Sequence, residues 1–336
     1  MKAMHLTDFG LDHLAVVDTS EPGEPASGEV LVKFAAAAVN PRDSQIIAGQ
    51  FTPNVEFPLI PLSDGAGEVV AVGPEVKRVA VGDLVTPLFF PNWFSGEALG
   101  AERAVSSGLE APGVMRELAI YNEAAVVPAA THLSAAEAAC LPCASLTAWT
   151  ALVEKSGIGA GDCVLIQGTG GVAIAALQLV KALGAQAIVI SSSDEKLQRA
   201  GDLGADHAIN YLADPGWGSA AFELSGGGVD AVIEIGGTGT LENSLAAIRH
   251  GGHINIIGYM AGVEMGITVF PLIIKNANLH GIGTGNRDSY EAMMDLIGEK
   301  RIRPVIDREY AFNELAAALT DLDNGGHFGK LVLNIP

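Results

Sequence analysis

The spacing of apolar residues along the chain changes near residue 134. Before that point short apolar alternations are cut by proline and glycine, the mark of strands and turns. Glu29-Val30-Leu31-Val32-Lys33-Phe34 reads as a strand, and Pro22-Gly23-Glu24-Pro25, Pro53, Pro58 and Pro61 read as turns. The stretch 62–73 is a glycine-studded strand, 81–85 is another short β segment, and 91–113, rich in Gly, Ser, Ala and Pro, is a long loop. From Ser134 the spacing turns helical. Ser134-Ala135-Ala136-Glu137 is a capping box, in which Ser134 and Glu137 satisfy backbone donors reciprocally. That helix is expected to run into Pro142, with a second from about Ser145. Buried-strand runs and helices then alternate. Strands fall at 163–167, 187–191, 207–210, 230–235, 253–257 and 279–282; helices fall at 171–183, 194–203, 216–225, 239–249 and about 269–275. The tail adds a helix at 288–299, a strand at 308–311, a helix at 313–322 and a last strand at 330–335. Alternating apolar strands and helices predict a parallel, doubly wound α/β sheet.

The chemistry centres on Val164-Leu165-Ile166-Gln167-Gly168-Thr169-Gly170-Gly171-Val172-Ala173. An apolar strand passes through residues with little side chain into an amphipathic helix, the setting that a dinucleotide fingerprint requires. Gly168 permits the tight turn. Gly170 lets a pyrophosphate approach the backbone where a β-carbon would intrude. Ala173 takes the third position, where helix packs on strand. The N–H groups of the helix start, with its dipole, hold the negative charge.

Composition narrows the classes. A chain of 336 residues suggests two domains. With 49% apolar and 17% charged residues it is globular. A net charge of −20 repels nucleic acid and anionic lipid, so neither is an expected partner. No apolar run approaches the ~18 residues of a membrane span, and the first residues lack an apolar signal core. Three cysteines give no disulfide framework, which points to a reducing cytoplasm.

Six motifs together carry a family likeness. They are Val39-Asn40-Pro41-Arg42-Asp43, Asp64 to Gly73, Leu141-Pro142-Cys143-Ala144-Ser145-Leu146-Thr147-Ala148-Trp149, Gly168-Thr169-Gly170-Gly171-Val172, Asp194-Glu195-Lys196 and Phe328-Gly329-Lys330-Leu331-Val332-Leu333. On these the chain resembles the medium-chain dehydrogenase/reductases, in the zinc-free branch that includes quinone reductases and related alcohol-dehydrogenase-like proteins. The resemblance implies a GroES-like β-rich catalytic domain, 1–126 with 286–336, and a Rossmann domain over 127–285. It also implies a cleft between them for nicotinamide and substrate.

The zinc enzymes of that family bind catalytic metal through a Cys, a His and a Cys. Here Asn40 and Ser63 take the first two positions and only Cys143 remains, too few for a tetrahedral site. The four-cysteine structural lobe is missing as well, since 91–117 holds no cysteine. No metal is expected. Cys140-Leu141-Pro142-Cys143 has redox spacing but lies in an apolar run after a helix, so packing is expected. None of the eight histidines has a partner at metal spacing, and Arg42 with Asp43 reads as a local ion pair.

Where NAD enzymes carry an acidic residue after the second strand, this chain has Ser191-Ser192-Ser193. Hydroxyls, with Lys196 behind them, suit the 2′-phosphate of NADP. Asp194 counts against this if it points inward, and suits a helix N-cap if it does not. The resemblance adds Tyr211 to the phosphate site, Thr147 and Asn40 beside the nicotinamide, and Lys330 among the cofactor contacts. Gly236, Gly237, Ile257, Gly258 and Tyr259 end the fourth and fifth strands, where ligands bind in such sheets. Asn40, Thr147 and Tyr259 are the candidate catalytic residues, although Asn40 also suits a turn before Pro41.

The expected activity is hydride transfer from NADPH to quinones or activated, α,β-unsaturated carbonyl compounds, with hydrogen-bond donors in place of zinc. A zinc-free alcohol or aldehyde dehydrogenase and a non-catalytic NADP-binding protein are the alternatives. The substrate is a small molecule, and the resemblance implies a homodimer or homotetramer paired near 253–257 and 279–282.

Overall fold

A computed structural model describes residues 1–98, 100–264 and 266–336. Leu99, in the loop expected over 91–113, lies outside the described residues. The chain forms two compact units, Met1–Ala144 with Asn286–Pro336, and Ser145–Gly285. Together they give the expected α/β fold, a GroES-like β unit and a Rossmann-like parallel sheet. No helix among the described residues is long and apolar enough to cross a membrane.

The first unit is built on a seven-stranded sheet. Its order is Ile306–Ala311, Lys330–Asn334, Glu29–Ala38, Asp64–Val72, Leu84–Pro87 and Val126–Pro128, with Leu118–Asn122 also on Glu29–Ala38. Every pairing is antiparallel except that of the first two. Val30, Val32 and Phe34 alternate inward and join Val69, Val85, Leu319 and Leu331 in one core. Lys2–Leu6 and Leu14–Asp18 add a hairpin. The pairing of Val332 with Ala38 brings the last strand beside Asn40, a placement the site depends on.

Several boundaries depart from expectation. Residues 127–144 belong to the first unit, because Val126–Pro128 is a strand of its sheet and Ala135–Ala139 packs on Glu29–Ala38 and Asp64–Val72. The chain does not stop at Pro142. A π-helical stretch, Leu141–Ser145, carries it into Leu146–Trp149 and a second π-helical stretch, Thr150–Lys155. Proline lacks only one donor, and a widened turn accommodates its ring. Pro41–Ile47 is helical, with Pro41 in its first turn.

In the second unit six parallel strands run in the order His207–Asn210, Gln186–Ser191, Cys163–Gln167, Val229–Glu234, Ile248–Ile256 and Asn278–Gly281. The order reverses between Cys163–Gln167 and Val229–Glu234, the switch point at which such sheets bind ligands. The strands read from apolar runs recur within two residues, except that Ile248–Ile256 begins five residues early. The helix before it is correspondingly shorter, Leu241–Ala247.

Gly67 shows how closely the first sheet is packed. A β-carbon there would lie 2.2 Å from the Lys33 carbonyl oxygen, a backbone atom that cannot turn away. Gly67→Ala should therefore cost about 1–3 kcal/mol or more in urea unfolding. Gly159→Ala, whose β-carbon meets nothing within 4 Å, is the control and should stay within about 0.5 kcal/mol. Equal effects would contradict this packing.

Candidate functional site

In the second unit the strand Cys163–Gln167 is buried throughout and passes into Gly168, whose φ of +78° favours glycine. A β-carbon at Gly168 would meet nothing within 4 Å, so conformation selects glycine there. Gly170 differs. Its φ of −80° suits any residue, and it is the N-cap of the 12-residue helix Gly171–Ala182. It has no side chain to cover the first-turn amides, Val172 among them. Those N–H groups and the dipole remain for an anion, so the residues present fit a dinucleotide pyrophosphate. Thr169 is buried inside the turn.

At the end of the second strand Ser191 is buried, and its hydroxyl accepts the Ser193 N–H at 3.3 Å. Ser193, not Asp194, caps the helix Asp194–Asp202 by accepting the Lys196 N–H at 3.3 Å. Asp194 is the first helical residue and accepts from Asn210 Nδ2 at 2.6 Å. The Tyr211 N–H donates to the Ser191 carbonyl at 3.1 Å, which sets an exposed Tyr211 beside the serines. Ser192 is exposed, and Lys196 is half-buried in the first turn of the helix.

The ends of the fourth and fifth strands lean on each other. Ile257 and Gly258 donate to the Glu234 carbonyl at 2.9 and 3.3 Å, and Ala261 donates to the Gly236 carbonyl at 2.8 Å. Gly237 has φ +83°, and a β-carbon on it would lie 2.9 Å from Tyr259 Cα. Tyr259 itself is exposed, and Thr147 is buried on Leu146–Trp149. The fully buried Glu234, held by Gln167, Thr240 and Ser244, is absent from the sequence reading. Its signal was a lone acid closing the apolar run Ala231-Val232-Ile233.

In the first unit a buried polar cluster surrounds Lys330, which is 5% exposed. Its ammonium donates to the Val39 carbonyl at 2.6 Å and to Asn40 Oδ1 at 2.7 Å, and stands 3.9 Å from Asp64 Oδ2. An ammonium only donates, so it fixes which end of the Asn40 amide is oxygen. Asn40 Nδ2 then meets no acceptor in full hydrogen-bond geometry among the described residues, although Asn40 is 4% exposed; it faces the Asp64 carboxylate closely enough to favour its charge. The Lys330 ammonium, expected among the cofactor contacts, is engaged inside this cluster. Asp43 Oδ2 accepts the Asn40 backbone N–H at 2.8 Å, and its Oδ1 has no partner among the described residues. Ser63 Oγ donates to Asp64 Oδ1 at 2.8 Å, and the Cys143 N–H to Asp64 Oδ2 at 3.3 Å.

Burial dominates the electrostatics. It pushes the Asp43 carboxyl up from 3.8 to about 6, against the pull of Arg42. It raises Asp64 too, outweighing the Lys330 ammonium, the Asn40 amide and the Ser63 hydroxyl. Burial, and then the Asp64 charge, push the Cys143 thiol up; Cys140, whose Sγ donates to the Ala136 carbonyl, rises to about 12. Neither thiol is an activated nucleophile. The expected Arg42–Asp43 ion pair gives way to another arrangement. Arg42 donates to the Ser107 carbonyl and Ser106 Oγ, each at 2.8 Å, over the ring of Phe89. Two histidines do meet. His253 Nδ1 and His280 Nε2 are 2.9 Å apart across neighbouring strands, a pairing invisible to spacing along the chain.

Asp43 gives a pH signature. Because its folded value is raised, its contribution to stability is complete below about pH 4. It declines as pH rises and is lost above about 6. Asp43→Asn removes that slope. Its stability relative to the parent should therefore improve by up to roughly 3 kcal/mol between pH 4 and 7 in urea unfolding. A difference that does not vary with pH would contradict the buried acid.

Comparison with known proteins agrees with this arrangement. The alcohol dehydrogenase GroES-like domain family matches residues 26–135, and the zinc-binding dehydrogenase family matches residues 171–299. A zinc-type alcohol dehydrogenase-like protein of Schizosaccharomyces pombe is 38% identical over 333 residues, covering 97% of this chain and 96% of that one. The 2-methylene-furan-3-one reductase of Solanum lycopersicum is 30% identical, covering 99% of this chain and 79% of that protein. A solved NAD-dependent alcohol dehydrogenase superposes with a TM-score of 0.89 at 31% identity, covering 100% of both chains. With this fold, this glycine turn and these relatives, the chain belongs to the medium-chain dehydrogenase/reductase family of NAD(P)-dependent oxidoreductases.

Proposed function

We propose that this chain reduces quinones or α,β-unsaturated carbonyl compounds with NADPH and without zinc. The observation that carries the reading is the Lys330 ammonium seated on Asn40 Oδ1. Zinc-dependent relatives place a metal ligand where Asn40 stands. Here Asn40 Oδ1 faces a cation already, Ser63 donates to Asp64, and the described residues hold no group of three or more His, Cys, Asp or Glu able to bind a metal ion. Metal ligands must be deprotonated and lone-pair rich, so this donor set does not fit zinc.

Bound NADPH supplies the hydride. The turn Gly168-Thr169-Gly170-Gly171-Val172 holds its pyrophosphate, and Ser191, Ser192, Lys196 and Tyr211 take the 2′-phosphate. Asp194 keeps its charge while accepting from Asn210, so the phosphate reading rests on the serines, Lys196 and Tyr211. Gly236, Gly237, Ile257 and Gly258 would meet the nicotinamide half, with Thr147 and Tyr259 as the further contacts near it. Asn40 Nδ2 donates to the substrate oxygen on which charge develops. Lys330 draws on the other end of the same amide and strengthens that donor. One amide donor suits enolates and hydroquinone anions, which spread their charge. It suits simple alcohol oxidation less well. The tomato relative is named as the reductase of an unsaturated furanone, the same substrate class.

NADPH oxidation should be followed with quinones, enones, aldehydes and, in reverse, alcohols, alongside metal analysis. Turnover of quinones or enones that survives chelation is expected. Activity on alcohols alone, or zinc that is lost together with activity, would sink the proposal. Tight NADPH binding with no turnover supports a non-catalytic binding protein instead.

Lys196→Ala should weaken NADPH binding by about 1–3 kcal/mol and leave NADH nearly unchanged. Equal losses would remove the 2′-phosphate assignment.

Asn40→Ala should lower turnover by roughly 10²–10³-fold with cofactor affinity almost unaffected. Lost cofactor affinity with full turnover at saturation would instead make Asn40 a nicotinamide support.

We also assign a second copy of this chain to the face that Val269–Lys275 presents. Val269, Phe270, Ile273 and Ile274 are exposed there, beside the outermost strand Asn278–Gly281. Light scattering should give at least twice the chain mass, and a monomer contradicts the assignment.

A further inference from the structure

Glu234 ends the strand Val229–Glu234, and none of it reaches solvent. A carboxylate so placed is costly unless donors surround it. Oε1 accepts from Thr240 Oγ1 at 2.6 Å and from the N–H groups of Gly236 and Gly237 at 3.1 and 3.2 Å. Oε2 accepts from Gln167 Nε2 at 2.7 Å and from Ser244 Oγ. Gln167 in turn accepts, through Oε1, the N–H groups of Ile235 at 3.0 Å and Gly236 at 2.9 Å. Both acids and amides in this network are therefore matched on each side.

The residues joined in this way stand at two turns. Gln167 precedes Gly168 of the glycine turn, while Gly236, Gly237 and Thr240 form the turn that leaves Val229–Glu234. The two strands are neighbours, with Ile166 opposite Ile233. The network thus bridges their C-terminal ends across the switch point. The second turn has no slack. A β-carbon at Gly236 would lie 2.4 Å from Thr240 Cγ2, and one at Gly237 would lie 2.6 Å from the Gly262 carbonyl oxygen.

We infer that Glu234 is a positioning residue, which through Gln167 holds the turn 235–240 at a fixed offset from the glycine turn. The backbone of that turn then meets the nicotinamide half of a dinucleotide whose pyrophosphate rests on the glycine turn. This rests on the cofactor placement proposed above. Glu234 touches neither cofactor nor substrate and acts only through the amides and hydroxyls it gathers.

The test separates the two halves of the cofactor. Glu234→Gln turns a donor toward Gln167 Nε2 and disturbs the turn. Its Kd for NADPH should rise about 10–100-fold, the scale of an unmatched buried partner, while that for adenosine 2′,5′-bisphosphate stays within about twofold. Thr240→Val, a milder change, should move NADPH in the same direction by several-fold. The exchange Gln167→Glu with Glu234→Gln lets every donor find an acceptor again and should restore most of the NADPH affinity. NADPH affinity unchanged in Glu234→Gln and Thr240→Val overturns the inference. So does parallel loss of both ligands, which is general loosening, and so does an exchange variant that folds but fails to recover. If Glu234→Gln does not fold, Thr240→Val and the exchange decide. A parent chain that binds neither ligand contradicts the underlying cofactor placement instead.

Discussion

A buried ammonium must be surrounded by acceptors, and meeting that demand at Lys330 shapes the first unit. The last strand enters the sheet with Val332 beside Ala38, which delivers Lys330 to the Val39 carbonyl and Asn40 Oδ1. The price of burial is met locally by these oxygens and by Asp64 at 3.9 Å. Two consequences follow from one cation. The Asn40 amide is locked in orientation with its nitrogen unmatched. The Val39 carbonyl and the Asn40 oxygen are already engaged. The nearby acids lie in a site so dry that burial, and not the ammonium, sets the direction of their titration.

The second unit answers a different constraint, that of leaving backbone donors open at a tight turn. Gly168 supplies the left-handed turn and Gly170 the uncovered helix start. The carboxylate of Glu234 then ties the neighbouring turn to this one. A buried negative group beside such a turn is tolerable because all its lone pairs face donors, so little of its charge is left unmatched.

Much of this was legible in the sequence where a local rule suffices. The strand at 163–167 and the helix after Gly170 follow from an apolar run, glycines and helical spacing. The capping box at Ser134 and Glu137 formed as read, with the Ser134 N–H 2.8 Å from Glu137 Oε2. Local rules failed where partners come from afar. Lys330 and Asn40 are 290 residues apart in the chain, and no pattern announces their bond. Glu234 went unread, because its donors at 167, 240 and 244 carry no spacing rule. Asp194 was misplaced by one residue as a cap because Ser193 is as good a cap and precedes it. Proline at 142 read as a stop, yet a π-helical turn absorbed it.

Hydride delivery to an activated double bond or quinone, with an amide donor in place of a metal, leaves a trace in the product. The most direct measurement follows the label. NADPH carrying deuterium at the transferred position should be turned over with a cyclic enone by chelator-treated protein, and the product analysed by NMR. Deuterium is expected at the carbon β to the carbonyl, in yield matching the NADPH consumed. Product without deuterium, or product that forms only after zinc is restored, would contradict it.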